Sequence, residues 1–134
     1  MQTQNRRPVS EFMSPNPARI SGQNSVHEAF AQMEEKGLRH LPVVDEEGLL
    51  GGVITDRDIA FALAEFPGKP VRVDQAMTPE PYTVVVDADV SDVLRVMAGN
   101  RFGCAIVKDR GENIAGIFTS TDAVRLLAEV LCPN

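Results

Sequence analysis

Across residues 25–37 the apolar positions Val26, Ala29, Phe30 and Met33 fall at i, i+3, i+4 and i+7, and apart from Ala31 the positions between them and on to Lys36 are polar. That spacing lays one apolar stripe along an α-helix. Ser25 and Glu28 stand three apart at its start, so the serine oxygen can accept the Glu28 amide while the glutamate reaches back to the Ser25 amide. Gly37 ends the stripe where left-handed backbone is wanted. Val90, Val93, Leu94 and Met97 form the same stripe behind Asp89. After each helix the pattern shortens to runs rich in β-branched residues, HLPVV with LLGGVIT and CAIV with NIAGIFT, joined by the polar turns DEEG and DRGEN. Each pair predicts a β-hairpin. DRDIAFALAEF and STDAVRLLAEVL then return to helical spacing, and the short extended pieces PARIS and PYTVVV precede the first helix of each set.

The elements therefore come in two sets, and the residues repeat with them. Met13-Ser14-Pro15 matches Met77-Thr78-Pro79, Val26 matches Val90, Met33 matches Met97, Gly52 matches Gly116, Thr55 matches Thr119 and Asp58 matches Asp122, each 64 positions apart. Matching HLPVVDEEG to GCAIVKDRG gives an offset of 63, so a one-residue slip is expected in the hairpins, recovered in the turn that follows. The organisation expected is a flexible arm over residues 1–8, a first repeat over 9–65, a linker over 66–72 carrying the Pro- and Gly-containing FPGKPVR, and a second repeat over 73–131. A unit of about 60 residues buries only about 60% of its unfolded surface. The two copies are accordingly expected to share one core as one compact module, related by a pseudo-two-fold axis.

The stretch GVITDRDIA joins a strand to a helix through G-h-h-T-x-x-D, where h is apolar, and GIFTSTD does the same in the second copy. Thr at the N-cap with Asp three residues on is close to a capping box, and a first-turn aspartate suits the helix dipole. A local structural role is thus expected whatever else these residues do. The same junction offers free amides and a positive dipole end to an anion such as phosphate. A threonine hydroxyl can donate to phosphate, and a short carboxylate can accept from both hydroxyls of a ribose.

These features together, M-S-P and M-T-P, R-H-L-P-V-V-D, and the doubled G-h-h-T-x-x-D, resemble a tandem cystathionine-beta-synthase (CBS) domain pair from about Val9 to Leu131. The resemblance implies an α+β fold of two βαββα repeats packed sheet to sheet. It implies two related clefts between the repeats that hold adenosyl compounds (AMP, ADP, ATP, NAD(H) or S-adenosylmethionine), a regulatory role without catalysis, and dimerisation through the helices. It places Asp58 and Asp122 as ribose-binding carboxylates and Thr55 and Thr119 as phosphate-side hydroxyls. Ile20 with Pro42, and Val84 with Cys104 and Ala105, match positions lining the adenine slots. Copy one adds Arg39, His40 and Arg57 as three cations for a phosphate tail, whereas copy two has Thr121 in place of Arg57, Gly103 opposite His40, and Arg101 as its nearby cation. The alternatives stay open: Arg39 and His40 as a solvated pair beside a hairpin, Arg57 as an exposed helix charge, and either cleft as the filled one.

Charge and composition narrow the classes. A net charge of −6 and a pI near 4.8 argue against a surface built to release counterions from nucleic acid. Arg6-Arg7 is followed by VSEFMSPNP, which lacks the apolar region of an export signal, and no run approaches the ~18 apolar residues of a spanning helix. A cytoplasmic protein with no membrane contact and no required cofactor is expected. Cys104 and Cys132, 28 positions apart, fit no metal spacing and read as reduced thiols. The expected partners are an adenine nucleotide, a second copy in a homodimer and an effector protein that the sequence does not name. Two other readings stand beside this one: a ligand-free dimerisation scaffold, and a metal-dependent enzyme using Asp56 and Asp58. The enzyme reading is weak, because copy two lacks an equivalent of Asp56 and residues at i and i+2 of a helix point apart.

Overall fold

The computed structural model describes residues 6–133. A 3-10 turn (Val9–Glu11) leads to β1 (Ser14–Pro15), β2 (Ile20–Ser21), α1 (Val26–Lys36), β3 (His40–Val44), β4 (Leu50–Thr55), α2 (Asp56–Glu65) and the single-turn α3 (Val73–Ala76). There follow β5 (Thr78–Pro79), β6 (Thr83–Val85), α4 (Val90–Asn100), β7 (Cys104–Lys108), β8 (Ile114–Thr119) and α5 (Ser120–Leu131). Helices and two four-stranded sheets make an α+β fold.

The chain divides into two compact units. One takes Ala18–Pro81 and carries the sheet β2-β3-β4-β5, with β2 parallel to β3 and the other pairs antiparallel. The second joins the described residues up to Pro17 to those from Tyr82 onward and carries the sheet β1-β8-β7-β6, again with one parallel pair, β6 with β7. Most of the buried apolar residues gather into two clusters, one in each unit, while Val53, Cys104, Ile106, Ile114 and Ile117 are buried outside both. Ile20, Val26, Ala29, Met33, Leu41, Ile54, Ile59 and Val73 are among the first, and Val9, Val90, Val93, Met97, Ala105, Val107 and Phe118 make the second.

The two copies exchange their leading segments. Val9 and Val73 are 64 apart and both fully buried, each in the cluster of the copy it does not lead in sequence. Each leading segment also adds an edge strand there: Ser14–Pro15 pairs with Ile117 and Gly116, and Thr78–Pro79 with Val53 and Gly52. The glycines are what admit it. A Cβ on Gly52 would lie 2.6 Å from the Thr78 carbonyl oxygen, and one on Gly116 would lie 2.9 Å from that of Ser14, closer than atoms in contact approach. Proline at the edge withholds an amide from further pairing.

The arm expected over residues 1–8 falls partly outside the described residues, at 1–5. Its end is tied down: Pro8 bridges Asp89, and the Val90 amide donates to the Arg7 carbonyl at 2.8 Å. The linker is likewise engaged at its far end, where Val71 is buried and Arg72 bridges Ser25.

The expected hairpin slip is absent, because the turns match at 64. Asp45 Oδ1 accepts the amides of Glu47 and Leu49, and Asp109 Oδ1 accepts those of Gly111 and Asn113. Side-chain turns of this kind fix loop length. The structural partner of His40 is therefore Cys104, that of Arg39 is Gly103, and that of Pro42 is Ile106.

Candidate functional site

Each β-strand that ends in threonine feeds directly into a helix, and the junction is closed by reciprocal bonds. Thr55 is extended (φ −115°, ψ 166°) and caps α2: its Oγ1 accepts the Asp58 amide at 3.0 Å, and Asp58 Oδ2 accepts the Thr55 amide at 3.0 Å. Thr119 caps α5 in the same way, with the Asp122 amide at 3.3 Å and its own amide on Asp122 Oδ2 at 2.8 Å. The local role expected of T-x-x-D is present in both copies.

The start of the hairpin is bound to the same point. His40 pairs with Thr55 across the β3–β4 ladder, and the Asp56 amide donates to the Arg39 carbonyl at 3.2 Å; Cys104 pairs with Thr119, and the Ser120 amide donates to Gly103 at 3.0 Å. The fold thus gathers Arg39, His40, Thr55, Arg57 and Asp58 at one end of the first unit. Arg39 and Arg57 are exposed, without an ion-pair partner among the described residues. His40 differs from the expectation. Burial lowers its pKa from the ordinary 6.5, against the opposing pull of the Asp56 carboxylate, so at neutral pH it is an uncharged imidazole and the three expected cations become two.

The apolar candidates are distributed otherwise. Ile20 lies within the first cluster and Pro42 is buried opposite Val53. Val84 is half-buried against the second cluster, and Ala105 is fully buried inside it opposite Phe118. Strand alternation sends Cys104 and Ala105 to opposite faces, so Cys104 alone shares the Thr119 position. Burial pushes the Cys104 thiol up to about 11, which leaves it a protonated, weakly polar wall. Thr121 is exposed in the first turn of α5. Arg101 ends α4 in left-handed backbone (φ 59°), where Gly37 ends α1 (φ 67°).

Two participants were missed. Thr78 Oγ1 donates to Asp58 Oδ2 at 3.4 Å, and Arg125 donates to Asp122 Oδ1 at 3.1 Å. Arg125 is legible, since i and i+3 on a helix are neighbours. Thr78 comes from an edge strand 20 residues away and needs the fold. Asp56 Oδ1 accepts the Arg57 amide at 2.9 Å while Asp58 serves the cap, and among the described residues no group of three or more His, Cys, Asp or Glu is placed to hold a metal ion. No helix among those residues is long and apolar enough to cross a membrane.

Comparison with known proteins gives concordant results. The family model for the CBS domain matches twice, at residues 9–65 and 73–129. The chain is 34% identical over 116 residues to the uncharacterized protein YlbB of Bacillus subtilis, covering 85% of this chain and 78% of that protein. It is 33% identical over 118 residues to the L-aspartate semialdehyde sulfurtransferase of Methanocaldococcus jannaschii, covering 88% of this chain but spanning 23% of that protein's length. Among solved structures, the CBS domain pair of protein MJ0100 in complex with 5'-methylthioadenosine and S-adenosyl-L-methionine superposes with a TM-score of 0.84 at 32% identity, covering 93% of this chain and 98% of that one. CBSX2 in complex with AMP gives 0.77 at 28%, covering 92% and 97%.

Proposed function

The chain belongs to the CBS domain family, and from that premise we propose that it is a regulatory module that binds an adenosyl ligand at a threonine–aspartate junction and passes the bound state to a separate effector protein. The observation that carries this reading is the junction itself: a helix N-terminus, a threonine hydroxyl and a carboxylate held within one helical turn, built twice with the same cap. The carboxylate suits the two hydroxyls of a ribose, and the hydroxyl with the helix end suits a phosphate or carboxylate beyond it. The AMP held by CBSX2 and the adenosyl ligands held by the MJ0100 pair support that class of ligand for this chain. Arg39 and Arg57 favour an anionic tail in the first unit. A homodimer formed through the helices belongs to the same reading, as does a sensing role in which ligand and effector prefer the same arrangement of the protein.

A thermal-shift panel of AMP, ADP, ATP, NADH, S-adenosylmethionine and 5'-methylthioadenosine tests it. A ligand present at ~100 times its dissociation constant stabilises the native state by about 2.7 kcal/mol, a readily measured rise in Tm. A flat response across the panel favours the ligand-free scaffold.

A further inference from the structure

The two junctions repeat one another in sequence yet differ in what they leave open. A carboxylate has about four lone-pair positions, two on each oxygen. At Asp122, Oδ2 takes the Thr119 amide at 2.8 Å and the Thr119 hydroxyl at 3.2 Å, and Oδ1 takes Arg125 at 3.1 Å. That leaves room for one further donor, and a vicinal diol brings two. At Asp58, Oδ2 takes the Thr55 amide at 3.0 Å and the Thr78 hydroxyl at a long 3.4 Å, while Oδ1 lies outside the cap.

The hydroxyls differ as well. Thr119 directs its proton to Asp122, whereas Thr55 Oγ1 accepts the Asp58 amide and keeps its proton for an incoming oxygen. Burial follows the same division: Asp122 is 6% exposed, and Asp58 is half-buried on the wall of a cavity of about 300 Å³ that Phe61, Phe66, Lys69 and Gln75 also line. The residue 64 positions before Arg125 is Phe61, which carries no charge to pair with Asp58.

We propose that Arg125 closes the second junction, so that the chain takes a single diol-bearing nucleoside ligand, at Asp58. The proposal rests on the adenosyl-binding reading and assigns its stoichiometry to one residue, Arg125. Arg125 is itself largely exposed, while the carboxylate oxygen that it holds belongs to a buried side chain.

Isothermal titration of the full chain with AMP and, separately, with S-adenosylmethionine decides it, with circular dichroism reporting the fold of each variant. One binding event per chain is expected in the unsubstituted protein, lost in Asp58→Asn. Arg125→Phe, which copies position 61, is expected to gain a second event. Phe61→Arg, which carries the closure into the first unit, is expected to weaken binding at least ~10-fold and keeps the test alive should Arg125→Phe fold poorly. Two events in the unsubstituted chain, one event that survives Asp58→Asn, or unaltered affinity in Phe61→Arg overturns the closure while leaving adenosyl binding intact. No event with either ligand removes the adenosyl reading and the closure with it.

Discussion

At the scale of single residues the junction shows how one position serves structure and chemistry together. His40 lies across the ladder from Thr55, and its burial lowers its pKa because the charged imidazolium loses water that nothing fully replaces. The sign of its effect on folding follows. The native state binds the proton less readily than the unfolded chain does, so His40 adds stability above the ordinary value of 6.5, and that stability is lost as pH falls through the lowered native value. Asp56 pulls in the opposite direction, so Asp56→Asn is expected to lower the His40 pKa further. An NMR titration of the imidazole resonances checks both statements, and a His40 that titrates at or above 6.5 refutes the neutral imidazole assigned to the site. The roles of Thr55, Asp58, Thr119 and Asp122 in their caps are legible in sequence, because capping depends on residues three apart and on nothing distant. The charge state of His40 is not legible, since it is set by packing around a strand end.

At the scale of elements, the helical stripes and hairpins follow from period and turn chemistry, and the one misreading is instructive. Matching Gly48 to Gly111 produces the one-residue slip, because glycine is the ordinary occupant of left-handed backbone. In the second hairpin Glu112 takes that conformation (φ 68°, against 82° at Gly48), and Gly111 sits beside it. The turn aspartates, not the glycines, mark the register. Helix α5 carries a different signal: Val124, Leu127 and Leu131 follow one stripe and are 66%, 55% and 74% exposed. A two-fold axis sets a face against its own copy, and an uncharged face is its own complement in a chain of net charge −6. A second copy of the chain is therefore the expected cover. Light scattering should report a dimer mass for the chain and a monomer mass for Leu127→Glu; a monomer at every concentration of the unsubstituted chain rules the dimer out.

At the scale of the whole molecule, the sequence period and the compact units cut the chain in different places. The family model matches 9–65 and 73–129, as the repeat does. The contiguous unit is instead Ala18–Pro81, because the leading segment of each copy completes the other. This exchange is invisible to periodicity: Val9 and Val73 occupy equivalent positions whichever unit receives them, and only the contacts tell which. The consequence is measurable in fragments. A peptide of residues 18–81 retains the whole first cluster, including Val71 and Val73, and the edge strand over Gly52. A peptide of 9–65 lacks Val71, Val73 and that strand, and carries Val9 with no cluster to enter. Burying a valine side chain is worth roughly 1.5–3 kcal/mol, so the two missing valines alone amount to a large share of what a fragment of this size has to hold it together. Urea titrations followed by circular dichroism should show a cooperative transition for 18–81 under conditions where 9–65 shows none. Equal behaviour of the two fragments would mean that the exchanged segments contribute little, and that each sequence copy folds on its own leading strand.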